Sequence, residues 1–301
     1  PKNNGVVNGG NGVWQHSSGN DNWTEAAGLV NAGYSNGAFA VSAGPAGPAT
    51  VDTSLGQVTA GGMQFATGGY TITGGGVALT GGQATIRVGD GSTAGAGYTA
   101  TINAALSGAS ELVKTDAGTL VLGGTNSYTG GTRITGGTVQ IASDANLGAT
   151  AGGVTLDGGT LATSATLTSA RNVNLLGTGT LSTPSGTTFT LSGTPAGAGA
   201  LTKAGRRTLL LTGNNGAYTG ATRISGGTLA VMGAFGGAVD IGAGTRLEGI
   251  GSVGAVTNAG TVAPGRDGFG TLTINGSYTG SHGTLAIDAG LGRDASRAER
   301  L

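Results

Sequence analysis

The sequence predicts an all-β fold, a parallel β-helix (β-solenoid) with about three short strands in each coil. Three observations lead to this prediction. Short runs of residues alternate between apolar and polar side chains and are bounded by pairs of glycines. The same short phrases return along the chain at nearly regular intervals. Glycine supplies 66 of the 301 residues, which suits a chain that turns many tight corners.

The predicted strands are short and lie between turn-forming residues. No long segment has the apolar spacing of an amphipathic helix, whereas alternation at period two is frequent. Val, Ile, Leu and Ala are expected to point inward, and Thr, Ser and Asn outward. Clear examples of the alternating runs are TLVL at 119–122, TVQI at 138–141, TLLLT at 208–212, TLAV at 228–231 and TLTI at 271–274.

The spacing of the repeated phrases distinguishes a solenoid from an ordinary sheet protein. GGTV begins at Gly136, and GGTL begins at Gly158 and again at Gly226. The first interval is 22 residues and the second is 68, close to three times the first. A period of about 20 residues indicates stacked coils, in which each strand pairs with its equivalent in the next coil.

Composition and charge exclude several classes of function. Only 9% of the residues are charged and the net charge is zero, so there is no basic surface for nucleic acid or anionic lipid. The absence of cysteine excludes disulfides, thiolate metal sites and cysteine nucleophiles. No apolar run of about 18 residues is present, so no direct membrane insertion is expected. Nothing after Pro1 reads as a signal peptide, and we expect a piece of a longer precursor.

Four regions are predicted along the chain. Residues 1–50 contain both tryptophans and are expected to form an N-terminal cap and the first coils. Residues 51–235 are the predicted stem. Over residues 236–290 the Gly-Thr-Leu phrases become more closely spaced, which indicates a different C-terminal region. Residues 291–301 are charged and are expected to form a flexible tail.

Three stretches resemble a known family. The segment AGTLVLGGTNSYTGGTRITGGTVQIASDANLG, at 117–148, is similar to the passenger-associated transport repeat of Gram-negative autotransporters. RRTLLLTGNNGAYTGATRISGGTLAV, at 206–231, resembles a second copy, and we place the two repeats near 112–141 and 200–231. The segment 251–290, with GTVAPG and GTLTINGSY, resembles the C-terminal passenger region called the autochaperone.

This resemblance implies a right-handed, single-stranded parallel β-helix, a hand that also agrees with the crossover rule for parallel strands. It implies type V secretion through the periplasm and the precursor's own outer-membrane β-barrel, followed by display at the cell surface. Functions known for the family are adhesion, self-association and the carrying of a separate protease or esterase domain. The C-terminal region would promote folding and secretion of the passenger.

The residues themselves suggest no catalytic, cofactor or metal site. Histidines and acids are scattered, whereas catalysis and metal binding need them clustered. The remaining candidates are weak surface contacts in the Y-T-G phrases and the arginines that follow two of them. Each tyrosine is more readily explained as closing a corner of the coil. By alternation Ile134 and Ile224 point inward and the arginines outward. The candidates are Tyr128, Arg133, Tyr218, Arg223 and Tyr278.

The leading hypothesis is therefore a non-enzymatic adhesive module without cofactors. Its partners would be a second copy of itself, or a glycan or protein on a host surface. A polysaccharide-processing enzyme on the same fold would need a groove with convergent carboxylates. A threonine ladder that binds ice or a crystalline polymer would need regular Thr-x-Thr spacing, but these phrases occur at irregular intervals, beginning at Thr71, Thr99, Thr166, Thr188 and Thr271.

Overall fold

The computed structural model describes residues 7–16, 22–24, 31–184, 186–280 and 282–288. The chain folds as a parallel β-solenoid, so the predicted fold class is confirmed. It divides into two units, Pro1–Val154 and Thr155–Leu301. The predicted boundaries after residues 50, 235 and 290 rest on composition and stay predictions. The tail predicted at 291–301 lies outside the described residues.

The described part of the first unit consists of short strands and two 3-10 helices, Thr93–Gly97 and Asp144–Leu147. Its described strands are β1 (Gly12–Gln15), β2 (Trp23–Thr24), β3 (Asn31–Ala32), β4 (Phe39–Ser42), β5 (Pro48–Asp52), β6 (Val58–Ala60), β7 (Gly62–Phe65), β8 (Thr71–Gly74), β9 (Val77–Leu79), β10 (Gln83–Val88), β11 (Thr99–Ile102), β12 (Leu106–Gly108), β13 (Glu111–Thr115), β14 (Thr119–Leu122), β15 (Thr132–Ile134) and β16 (Thr138–Ile141).

The second unit is built in the same way. Its first strand, β17, begins at the last residue of the first unit. The described strands are β17 (Val154–Leu156), β18 (Thr160–Thr163), β19 (Leu167–Ser169), β20 (Val173–Leu175), β21 (Gly179–Ser182), β22 (Thr188–Leu191), β23 (Pro195–Ala196), β24 (Leu201–Ala204), β25 (Thr208–Leu211), β26 (Thr222–Ile224), β27 (Thr228–Val231), β28 (Val239–Ile241), β29 (Arg246–Gly249), β30 (Ser252–Val253), β31 (Val256–Asn258), β32 (Thr261–Pro264), β33 (Thr273–Ile274), β34 (Tyr278–Gly280) and β35 (Thr284–Leu285).

Each side of a coil continues as a parallel sheet through its unit. In the first unit the strand orders are β1-β5-β8-β11-β14-β16, β4-β7-β10-β13-β15 and β6-β9-β12. In the second they are β18-β21-β24-β26-β28-β31-β34, β19-β22-β25-β27-β29-β32-β35 and β17-β20-β23, with the short pair β30-β33. The pair β2-β3 is antiparallel and stands apart from this stacking.

The core consists of columns of apolar side chains, one from each coil. In the second unit Leu209, Leu229 and Leu247 occupy the same position in successive coils. Phe189 precedes them and Val262 follows, and all five side chains are buried. The column forms because register pairing places each residue directly over its equivalent, while alternation keeps every second residue inside.

The number of residues in a coil is not constant and departs from the single predicted period of about 22. Thr188, Thr208 and Thr228 pair at intervals of 20, whereas Arg246 pairs with Thr261 at an interval of 15. Three strands occur in each coil from β5 to β13. From β24 onward two sides remain regular, and isolated bridges or short strands occupy the third. Because the strands of each ladder stay in register, the differences in coil length arise in the corners between strands.

The described residues contain no helix with the length and apolar character needed to span a bilayer.

Substitution Leu229→Ala tests the column. We expect it to lower the free energy of unfolding by about 2–5 kcal/mol, because a buried side chain would leave a cavity between two neighbouring leucines. Thr228→Ala, which changes the adjacent outward residue, should cost less than about 1 kcal/mol. Urea unfolding followed by circular dichroism measures both variants. Equal losses would contradict the assignment of the two faces.

Candidate functional site

Each copy of the repeated sequence buries one lysine. Lys114 lies in β13 and Lys203 in β24, and both side chains are 0% exposed. Each follows a buried leucine by two positions, so the alternation of the strand turns the lysine inward. Removing an ammonium group from water costs several kcal/mol unless hydrogen bonds replace the lost hydration. The partners of the two lysines therefore matter for the stability of each repeat.

In the first copy, three backbone carbonyls accept hydrogen bonds from the ammonium. Lys114 Nζ donates to Thr115 O at 2.6 Å and to Asp116 O at 2.8 Å. Its third hydrogen bond, at 3.2 Å, reaches Gly136 O in the following coil. Asp116 has a φ of 61°, in the left-handed region that a residue other than glycine seldom adopts. The lysine thus joins a turn of its own coil to the next coil.

The second copy repeats this arrangement. Lys203 Nζ donates to Ala204 O at 2.8 Å and to Gly205 O at 3.0 Å. The bond to the following coil, at 2.8 Å, ends on Gly226 O. Gly205 occupies the position of Asp116 and has a φ of 78°. A left-handed residue two positions after the lysine is therefore common to both corners, and we call each assembly a lysine corner.

Burial changes the acidity of both lysines. Desolvation lowers the pKa of Lys114 from 10.5 to about 8, and the nearby negative charge of Asp116 opposes part of this shift. Desolvation likewise lowers the pKa of Lys203 from 10.5 to about 8. Below this pKa the ammonium offers three N–H donors, which match the three carbonyls of each lysine corner.

The tyrosines of the two repeats are interior residues. Tyr128 and Tyr218 are 0% exposed, so neither can serve as a surface contact, and this part of the predicted surface is corrected. The Tyr128 hydroxyl lies 2.7 Å from Thr132 Oγ1, and the Tyr218 hydroxyl donates to Gly199 O at 2.8 Å. A large ring with a satisfied hydroxyl fills the core at a corner, as the structural interpretation of the Y-T-G phrase expects.

A glycine from the next coil lies against each tyrosine ring. A Cβ added to Gly148 would come within 2.8 Å of the Tyr128 ring, and one added to Gly237 within 2.8 Å of the Tyr218 ring. Real Cβ contacts are not that short, so a larger residue would displace the ring or the backbone. The two repeats therefore share a tyrosine–glycine contact between successive coils, in addition to the lysine corner.

The other predicted contact residues do lie at the surface. Ile134 and Ile224 are buried, and the arginines that precede them point outward, as alternation predicts. Arg133 is half-buried. The side chain of Arg223 is 64% exposed and forms an ion pair of 2.8 Å with Asp240 of the next coil. In the second unit, Arg223 in β26 and Tyr278 in β34 are separated by β28 and β31, so they do not form one site.

The third Y-T-G phrase has a different environment from the other two. Tyr278 is 38% exposed and lies in β34, the last described strand of its sheet, where it pairs with the buried Val256. Its hydroxyl oxygen accepts a hydrogen bond from Asn258 Nδ2 at 3.0 Å. The phrase alone therefore does not determine whether its tyrosine is buried.

Two columns of threonines lie on the outer faces of the second unit. The irregular Thr-x-Thr spacing argued against a regular ladder, but register pairing aligns the threonines of successive strands. The neighbouring outward column reads Thr168, Thr190, Leu210 and Ala230, so two threonine columns do not continue side by side. One column contains Thr160, Thr180, Thr202, Arg223, Asp240, Thr257 and Thr279, and the other contains Thr188, Thr208, Thr228, Arg246, Thr261 and Thr284.

The two arginines of these columns are paired with acids. Arg223 is paired with Asp240, and Arg246 Nε lies 2.8 Å from Glu248 Oε2. Exposed pairs of this kind stabilise a fold little, by up to about 1 kcal/mol. Their larger effect is on the surface, which presents hydroxyls and carries almost no net charge along either column.

Within the described part of the chain, no group of three or more His, Asp or Glu side chains is placed to hold a metal ion. The candidate functional features are therefore the two lysine corners and the hydroxyl-bearing outer faces. Sequence reasoning missed the lysines, although a signal existed. Each lysine lies two positions after an inward leucine, so the alternation of the strand places Lys114 and Lys203 on the inward face.

Comparison with known proteins identifies the repeats. A family model described as the passenger-associated transport repeat matches residues 112–141 and 201–231, so the predicted repeats are confirmed. A protein of Brucella suis biovar 1 (strain 1330), named "Adhesin BmaC autotransporter", is 49% identical over 306 aligned residues. The alignment covers 100% of this chain but only 9% of that relative. No solved structure matches the chain significantly.

The lysine corners predict an unusual dependence of stability on pH. Between about pH 8 and 10.5 the unfolded lysines keep a proton that the folded ones release, so the free energy of unfolding should rise with pH. From pH 8 to about 9.5, below the ordinary pKa of tyrosine, the rise should be roughly 1–2 kcal/mol per lysine. Urea unfolding at several pH values measures it.

The double variant Lys114→Met, Lys203→Met is the control for this experiment, because it removes both titrating groups. Its free energy of unfolding should be flat over the same range, and Arg206→Met, at an exposed position, should keep the rise. A rise of equal size in the double variant would assign the effect to other groups.

Proposed function

We propose that this chain, an autotransporter passenger segment with two passenger-associated transport repeats, acts as an adhesive stalk on the surface of a Gram-negative bacterium. The observation that carries the proposal is the 49% identity, along the whole chain, to a protein named an adhesin. Because the chain spans 9% of that relative, adhesion is inferred for this segment and not transferred from the whole protein. The precursor would supply its own outer-membrane β-barrel for export.

The surface chemistry supports an adhesive role without catalysis. The outer columns of the second unit present threonine hydroxyls, and their arginines are paired with acids. Such a face offers many hydrogen-bonding groups and little electrostatic repulsion toward an identical face. Self-association between cells and contact with a host glycan or protein are the two forms of adhesion that fit this chemistry.

The interior supports the role of a stalk. Lysine corners and tyrosine–glycine contacts each join one coil to the next inside a transport repeat. Contacts between neighbouring coils are the source of cooperativity in a solenoid, because each coil touches only its neighbours. The repeats would therefore act as stabilised junctions that keep the outer faces in register, and Tyr128 and Tyr218 would contribute from inside and not by binding.

The C-terminal residues would help the passenger to fold after it crosses the outer membrane. The support is the sequence resemblance of 251–290 to the autochaperone region. In addition, the ladders continue in register to β34 and β35, so this segment offers paired strands on which preceding coils can assemble. A template of this kind lowers the cost of forming the first coil, which is the unfavourable step in solenoid folding.

Charge placed on the threonine column tests self-association. We expect cells that display Thr208→Asp, Thr228→Asp to aggregate less than cells with the native chain, because like charges on adjacent coils repel an identical face. The defect should shrink at about 1 M salt, where the screening length is about 3 Å. Sedimentation of displaying cells measures aggregation, and Thr208→Ser, Thr228→Ser is the matched control.

The adhesive proposal fails if cells displaying the native chain neither sediment faster nor bind extracellular matrix or glycan. If the aspartate and serine variants aggregate equally, adhesion does not use this column.

Removal of residues 236–290 tests the folding role of the C-terminal region. We expect slower refolding of the purified chain and less passenger at the cell surface, because the template for the preceding coils is lost. The control is removal of 160–179, a complete coil of equal length to a regular repeat interval that is bounded by the register pair Thr160 and Thr180 and contains no lysine corner, which should preserve stacking and display. Refolding kinetics and surface immunolabelling are the measurements. Normal display without 236–290 would contradict the role.

A further inference from the structure

A cavity of about 460 Å³ lies in the first unit, next to the N-terminal strands. Its walls come from residues 7–13 on one side and 41–43 on the other, and the half-buried Trp23 contributes aromatic surface. The volume lies within the range of about 300–1,000 Å³ typical of small-molecule sites. Val13 and Val41, which line the cavity, are also among the exposed apolar side chains, so apolar surface reaches the mouth of the cavity.

The aromatic surface is held in place by a cluster of three rings. The ring centroids of Trp14 and Trp23 are 5.6 Å apart, and Tyr34 lies 5.1 Å from Trp14 and 4.9 Å from Trp23. The Tyr34 hydroxyl donates to two backbone carbonyls, at 2.7 and 3.1 Å. Because Tyr34 is anchored and packs against both indoles, the tryptophans are positioned before any ligand arrives.

One wall of the cavity is fixed in a similar way. The Tyr70 hydroxyl donates to Ala43 O at 2.6 Å and to Pro45 O at 3.1 Å. Gly9 lies so close to this turn that an added Cβ would come within 2.4 Å of the same two carbonyl oxygens. The segment at residue 9 and the turn at 43–45 are therefore in close contact, which defines the shape of this side of the cavity.

The two tryptophans differ in accessibility. Trp14 is 2% exposed and its Nε1 is buried, so this indole supports the cavity from behind. Trp23 is half-buried and lines the cavity, so its ring is the one that offers aromatic surface to a ligand.

The cavity lining is polar without being charged. Among the described residues that form it, none is Asp, Glu, Lys, Arg or His. The polar groups are the amides of Asn8, Asn11 and Asn22 and the hydroxyls of a few neighbours. Amides beside aromatic rings suit a ligand that has both an apolar face and hydroxyl groups, and the absence of charge disfavours an ionised ligand.

We propose that this cavity binds a ring of a neutral oligosaccharide. The C–H face of the sugar would pack on the Trp23 ring, and its hydroxyls would bond to the asparagine amides. The proposal gives the adhesive stalk a ligand class, and it rests on that proposed function for its biological role. The binding itself is tested on the purified chain, independently of adhesion.

Tryptophan fluorescence measures this binding directly, because Trp14 and Trp23 are the two tryptophans of the sequence and both line the cavity. The probes are maltotriose and the trisaccharide of N-acetylglucosamine, with trigalacturonate as a charged comparison. We expect a saturable change in emission with a neutral trisaccharide at a Kd of about 1 mM or tighter, and a weaker response to trigalacturonate. No saturable change with either neutral probe up to about 20 mM would overturn the proposal.

Two variants connect the response to the cavity. Trp23→Leu removes the ring on which the sugar would pack, and Trp14 remains as the reporter. We expect it to weaken binding at least about threefold. Asn11→Ala is the second variant, with a similar loss expected, and it preserves the aromatic cluster if Trp23→Leu folds poorly. Thr50→Ala, an exposed residue outside the lining, should bind like the native chain. Unchanged affinity in both cavity variants would place any sugar binding elsewhere and overturn the proposal.

Cell adhesion separates this proposal from the adhesive function. If displaying cells adhere but the purified chain binds neither sugar, the cavity proposal fails and the adhesive function stands. If the chain binds sugar through Trp23 and displaying cells do not adhere, the cavity proposal stands and the adhesive function fails.

Discussion

In-register pairing between successive coils is the constraint on which the rest of the structure depends. Once Leu209 pairs with Leu229, every residue of one strand lies against its equivalent in the next. Apolar side chains then stack inside, and threonines stack outside. Backbone hydrogen bonds run from coil to coil and satisfy most strand polar groups without charged side chains. This explains how a chain with 9% charged residues can form an ordered fold.

The same constraint explains where the interior departs from apolar stacking. At a corner the backbone leaves the ladder, and its carbonyls need other donors. Lys114 and Lys203 supply three donors each, and every set includes one carbonyl of the following coil. A buried charge is thus used to connect coils at the point where strand pairing is interrupted. The matched family model covers these two corners, so the sequence motif includes a junction between coils.

The fold could be predicted from the sequence because its determinants are local. Alternation identified Ile134 and Ile224 as inward, and the Gly-Gly phrases identified corners. The burial of Tyr128 and the exposure of Tyr278 could not be separated, because both share Y-T-G and differ only in what stacks on them. Charged lysines are seldom buried, so the inward positions of Lys114 and Lys203 in the alternation did not lead to a prediction that they are buried. The aromatic cavity joins residues from β1, β2, β4 and β5, and no local pattern encodes that proximity.

The corners also have a consequence for how such a chain can diverge. β1 and β5 pair in register, Gly12 with Ala49, although the intervening chain contains β2, β3 and β4. The entropic cost of closing such an excursion grows only with the logarithm of its length. Insertions at a corner are therefore inexpensive compared with changes inside a ladder, where one residue would invert every inward and outward position. New recognition surfaces can arise by lengthening corners while the ladder sequence keeps the core packed.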